Sequence, residues 1–254
     1  FGMVFATAAV GPIYTYGITW LFILALIMYI VLLFIVRSHF KIKVERTEQK
    51  TTKSSFKLPK WNWRLVYTGV IGLMVLWISY SQWLGNLSVY MSSVLKLPLW
   101  QYSMLWTING ILIAVIQLGM NALNLSANRK SMFIQIFAGL LMFGLAFLIL
   151  PFAKTFTGFA LAMVVTTIGE ATAFPMIPAL VNELTPMGLK GRYQGLTAAA
   201  PSVGRAIGPL LGGAVIEQSG YGSLFYGGAG VVFIAFVGVA TMIFIGYRHA
   251  TQYE

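Results

Sequence analysis

The chain is 254 residues long, 58% hydrophobic and only 9% charged, with a mean hydropathy of +0.81. A soluble domain keeps about a quarter of its residues charged, so this composition excludes a soluble globular fold and points to a polytopic membrane protein. The net charge of +11 does not imply nucleic acid: nine of the seventeen Lys and Arg fall within Arg37–Arg64, beside an apolar span, a pattern that marks the cytoplasmic face of a membrane.

At about 20 apolar residues per crossing, the chain in order shows a partial span before Tyr16. Full spans follow near 18–36, 66–92, 100–123, 131–152, 157–182, 195–216 and 223–246. The chain opens on Phe1 in apolar sequence. Ala6-Thr7-Ala8 resembles a signal-cleavage triplet, but no basic and apolar stretch precedes it, so the start reads as the middle of a longer protein. Basic residues alternate from one connection to the next: Arg37–Arg64, Arg129-Lys130, Lys190/Arg192 and Arg248 against Lys96, Lys154 and Glu217. That bias assigns the 37–64, 124–130 and 185–194 loops and the C-terminus to the cytoplasm; the expected location is the plasma (inner) membrane.

Residues 37–64 are polar and Thr/Lys-rich and suit a cytoplasmic linker, with a short interfacial helix ending in Trp61-Asn62-Trp63-Arg64. In the 66–92 span Ser79, Gln82, Asn86 and Tyr90 recur at steps of three and four, on one helical face. Ser103, Thr107, Gly110, Ala114 and Gln117 repeat that stripe in the next span, with Asn109 on a different face. Such stripes either bond helix to helix or line a cavity. On the second reading Gln82, Asn86, Asn109 and Gln117 are lining, and Tyr80, Trp83 and Trp106 stack on an amphiphilic or cationic substrate.

Two charges stand at the centres of apolar spans. Glu170 lies about 13 residues from either end of its span, or roughly 20 Å of helix, with Pro175 and Pro178 one to two turns on as a hinge. Arg205 sits in Gly204-Arg205-Ala206-Ile207-Gly208-Pro209-Leu210-Leu211-Gly212-Gly213, where Gly204, Gly208 and Gly212 form a bare face for close helix approach and Pro209 bends the helix. A charge at that depth costs about 2.5–3.5 kcal/mol on insertion scales and marks function by default. Glu170 can load and release a proton or attract a cation; Arg205 keeps its charge and suits a fixed partner, either Glu170 or an anionic group.

These motifs, with Gly191-Arg192-Tyr193-Gln194-Gly195 before them, resemble the C-terminal portion of a major facilitator superfamily transporter, and within it the bacterial drug:proton antiporters. The resemblance implies an all-α multi-span bundle: 1–36 as the end of an N-terminal helical bundle, 37–64 as the cytoplasmic linker, 65–247 as a C-terminal six-helix bundle and 248–254 as a cytoplasmic tail. Gly11-Pro12 aligns with Gly208-Pro209 at an offset of 197, and Arg37-Ser38-His39 with Arg248-His249, as related halves require. The loop carrying Arg129 keeps the family's basic pair but lacks its acid, and Arg192 falls in the next cytoplasmic loop.

The expected function is secondary active transport by alternating access, with proton-coupled efflux of drugs or other amphiphiles first. A metabolite or sugar carrier and a non-transporting scaffold or receptor-like protein are the alternatives. Expected partners are a small-molecule substrate, protons, the lipid bilayer and the missing N-terminal helices of the same transporter; nucleic acid is not expected. His39 and His249 lie at span ends, and no catalytic constellation, metal-ligand cluster or phosphate loop appears. No enzyme activity, metal or cofactor is therefore expected.

Overall fold

A backbone that crosses hydrocarbon must close its own hydrogen bonds, and in this chain the apolar runs do so as helices. The structure, a computed structural model, describes residues 17–39, 57–123, 128–246 and 249, and all the regular structure among them is helical. The partial span before Tyr16, the Gly11-Pro12 copy, Arg248 and most of the linker lie outside the described residues.

The chain divides into two units, 2–55 and 56–254, with Phe1 grouped with the second. Of the first unit the structure describes α1, Ile18–His39, a 22-residue apolar helix. At 1.5 Å per residue it is about 33 Å long, enough to cross a bilayer core of about 30 Å.

The second unit is a bundle. Helix α2 spans Lys60–Leu84 and continues past Gly85 through the short α3, Asn86–Val89, and a π-helical turn, Tyr90–Val94. Helix α4 is Leu99–Ala122, α5 is Arg129–Ile149 with a 3-10 turn at Leu150–Phe152, and α6 is Phe156–Glu183. Helix α7, Met187–Gly246, has 60 residues. A straight rod of that length runs about 90 Å, three bilayer cores, so it cannot be one crossing. Gly220 breaks it with φ 79° and ψ 175°, backbone that only glycine adopts readily, giving two crossings, 187–219 and 221–246.

Two expectations change at the ends. The segment 185–194, assigned to a cytoplasmic loop, is helical from Met187: α7 starts directly after Pro186, and the loop shrinks to Leu184–Pro186. Arg192 thus sits on an exposed helical turn, its guanidinium 5.8 Å from the Tyr193 ring. The interfacial segment Trp61–Arg64 is the first turn of α2, with Asn62 fully buried and donating to the Leu184 carbonyl at 2.9 Å. At Asn62 the partner comes from the end of α6, which a sequence pattern does not show.

Close helix contacts hold the bundle. Where α5 crosses α6, a Cβ on Gly139 meets the Ala173 side chain at 2.5 Å and the Gly169 carbonyl at 2.9 Å, so only glycine fits. Phe143, Phe147 and Phe159, all fully buried, fill the space beside that crossing. Where the first arm of α7 crosses α2, a Cβ on Gly204 meets the Trp77 side chain at 2.5 Å, and on Gly208 and Gly212 it runs into Ser81 and Gln82. Such bare faces trade side-chain volume for backbone contact, the usual route to helix association where lipid offers no hydrophobic drive.

Candidate functional site

Glu170 lies midway along α6, half-buried, directly after the Gly169 that lets α5 approach. Three elements supply its surroundings. Tyr80, on α2, donates its hydroxyl to the carboxylate, 3.1 Å from each oxygen. Asn109, on α4, donates its amide to Oε2 at 2.8 Å and to Thr167 Oγ1, one turn back on α6, at 3.0 Å. Thr167 in turn donates to the Met163 carbonyl at 2.7 Å. Both carboxylate oxygens are satisfied, and every donor is neutral.

Asn109 is fully buried, and its Oδ1 has no hydrogen-bond partner. An amide turned by 180° presents that oxygen where the NH2 now stands. The same side chain therefore donates to an ionised carboxylate and can accept from a protonated one.

The expected partnership of Glu170 with Arg205 is not present. Arg205 is exposed on the first arm of α7, its guanidinium 4.8 Å above the Trp77 ring. Phe174 stacks on that indole at 4.7 Å and 15°, and Tyr80 meets it edge-on at 5.3 Å. An aromatic group from α2 and α6 thus stands between the two charges. Arg205 cannot lie over Trp77 and reach a carboxylate that Tyr80 and Asn109 already hold. The one ion pair among the described residues is elsewhere: Arg129 Nε to Glu183 Oε1 at 2.6 Å, at the end of the bundle where α5 begins and α6 stops. Arg129 is itself the first residue of α5, capped by Asn128, whose side chain accepts from the Ser131 amide at 2.8 Å, rather than a loop residue.

The polar stripe is used for packing. Gln82 donates to the Gly208 carbonyl at 2.8 Å, and Asn86 donates to Gln82 Oε1 at 2.7 Å and to the Pro209 carbonyl at 3.3 Å. Both seal the contact of α2 and α3 with the first arm of α7, and Gln82 also lines a cavity there with Ser79, Leu211 and Gly212. Gln117 donates to the Ala171 carbonyl at 2.9 Å. That carbonyl is the one Pro175 leaves without its helical partner four residues on, so Gln117, itself half-buried, repairs the helix there. Helix α6 accordingly runs unbroken through Pro175 and Pro178. Trp83 is 1% exposed, Tyr80 4% and Trp106 6%, so they form the core behind Glu170 and offer no stacking face to a substrate.

Sequence reasoning passed over Trp77, Phe174 and Thr167 as members of this site, and Glu183 as the acid for Arg129. One signal was available for Trp77: it lies three residues before Tyr80, on the same helical face. None marked Glu183, which is paired from another helix.

The Major Facilitator Superfamily profile matches residues 1–200 and 134–252. The chain belongs to the Major Facilitator Superfamily. An uncharacterized MFS-type transporter of Bacillus subtilis (strain 168), YttB, is 31% identical over 229 residues, 88% of this chain and 56% of the relative. A second uncharacterized MFS-type transporter from the same strain, YqjV, is 25% identical over 159 residues, 62% of this chain and 38% of the relative. The chain therefore spans about half the length, or less, of these curated relatives. Membership makes it a multi-pass membrane protein of a transporter family, and its all-helical bundle with membrane-length apolar helices agrees.

Proposed function

We propose that the chain is the C-terminal part of a proton-coupled secondary transporter that exports amphiphilic small molecules across the plasma membrane by alternating access, with Glu170 as the proton-carrying group. Its partners are then the substrate, protons, the bilayer and the N-terminal helices of the same transporter, and its C-terminus is cytoplasmic.

The observation that carries this reading is that Glu170, midway along α6, is held by Tyr80 and Asn109, with no cation on it among the described residues. A carboxylate fixed to an arginine stays ionised through the cycle; one held by neutral donors can be ionised in one state and protonated in the other. Asn109 can serve both forms by turning its amide, which gives α4 a way to register the proton. The commitment of Gln82, Asn86 and Gln117 to backbone carbonyls weighs against a sugar carrier, which needs free polar groups to meet hydroxyls.

The test is a pH-jump transport assay on the complete polypeptide in proteoliposomes. The Glu170→Gln variant is expected to lose proton-driven transport while still exchanging substrate down its own gradient. Unchanged proton-driven transport overturns the coupling role.

A further inference from the structure

We infer that the transported amphiphile carries an anionic group, a carboxylate or similar oxyanion, and that Arg205 binds it. This deepens the transport reading above and rests on it.

Arg205 lies 18 residues into the first arm of α7 and 15 before the Gly220 break, about 27 Å and about 22 Å of helix from its ends. That is deep in the membrane for a group that never loses its charge. Yet its side chain is exposed, and among the described residues no carboxylate and no hydrogen-bond acceptor engages it; its guanidinium lies over Trp77.

The chain has six acidic residues, all glutamates, which makes the search for a partner short. Glu170 is held by Tyr80 and Asn109, and Glu183 by Arg129. Glu217 lies 12 residues further along the same helix, about 18 Å away. Glu45, Glu48 and Glu254 lie outside the described residues. At mid-depth nothing described neutralises the guanidinium.

The contact it does make prepares it for an anion. An indole attracts a guanidinium through its π face, which leaves the in-plane N–H groups unspent. Those N–H groups form the fork that takes an oxyanion in two parallel hydrogen bonds. Phe174, stacked on the same indole, and Gly204, whose missing side chain lets Trp77 lie against α7, hold that platform in place. A cationic substrate meets the opposite situation: the exposed charge repels it, and both Glu170 oxygens are already taken. The group that sequence reading cast as the attraction for a cation is thus the less accessible of the two.

The experiment measures ligand-induced shifts in melting temperature of the complete, detergent-purified polypeptide. The probes are matched aryl carboxylates and aryl ammonium ions, 1-naphthoate and 1-naphthylmethylammonium among them. The wild type and the Arg205→Gln and Arg205→Lys variants are compared. Stabilisation by the carboxylates alone is expected, with affinity falling about tenfold or more in Arg205→Gln and partly kept in Arg205→Lys. Stabilisation by the ammonium ions alone, by no probe, or by carboxylates equally in all three proteins overturns the inference. So does an Arg205→Gln protein whose unliganded melting temperature collapses while carboxylates leave the wild type unmoved, because Arg205 is then paired with an acid elsewhere in the transporter. The Glu170→Gln pH-jump assay is independent: anion binding without proton coupling removes only the coupling, and proton coupling without anion binding removes only this inference.

Discussion

Helix α6 carries two glutamates thirteen residues apart, and the bundle treats them in opposite ways. Glu183, the last residue of the helix, pairs with Arg129 at 2.6 Å. Glu170, in the middle, is given a phenol and an amide but no cation, although a permanent cation, Arg205, stands on the same bundle at comparable depth. Where water is near, an ion pair costs little and serves to tie α5 to α6. Away from water, pairing would quench both charges, and keeping them apart is what the proposed proton exchange at one and the proposed ligand binding at the other require. An intramembrane charge is thus read by what the fold withholds from it as much as by what touches it.

The sharpest way to break that contrast is to neutralise each glutamate in turn. Glu170→Gln is expected to lower proton-driven transport by about a hundredfold or more, the scale of losing a positioned proton-transfer group. Glu183→Gln is expected to leave the dependence on the proton gradient intact. Equal losses in the pH-jump assay would place both acids on one footing and remove the distinction.

A smaller effect separates packing from function. Gly208→Val puts a side chain against Ser81 and against the Ile78 carbonyl, 2.8 Å from the added Cβ, and is expected to destabilise the bundle by about 1–3 kcal/mol, read from detergent unfolding. Tyr80→Phe removes the hydroxyl from Glu170 and leaves the ring packing. A loss of about tenfold in proton-driven transport is expected, the worth of one hydrogen bond to a charged group, with little change in melting temperature. A stability loss matching that of Gly208→Val would make Tyr80 a structural strut.

The smallest effects belong to the paired end. A double-mutant cycle on Arg129 and Glu183 is expected to return a coupling of about 1 kcal/mol, because the pair is partly open to solvent, with side chains 9% and 21% exposed. A coupling of several kcal/mol would show that the pair holds the bundle closed.

Much of the fold follows from one-dimensional rules. Each apolar run of about twenty residues from 66 to 246 is almost wholly helical, because a membrane leaves the backbone no other way to satisfy itself. The Gly204, Gly208, Gly212 spacing marks a contact face for the same reason: steps of four stack on one side of a helix. The central depth of Glu170 and Arg205 is read by counting residues, and the fold class follows with them.

What counting does not supply is the identity of the neighbour. Periodicity says that Gln82 and Asn86 share a face; it does not say that the face meets the carbonyls of Gly208 and Pro209, and so it leaves glue and lining undecided. Likewise it places Gln117 on a polar stripe without showing the Ala171 carbonyl that Pro175 strands. The separation of Glu170 from Arg205 is a matter of rotation about two helix axes, set by Gly169 against α5 and by Gly204 against Trp77. Sequence by itself determined the apolar helices and the mid-span position of the two charges, because those depend only on position along the chain. Only the tertiary structure decided that the charges do not meet, because that depends on which faces small residues allow to touch.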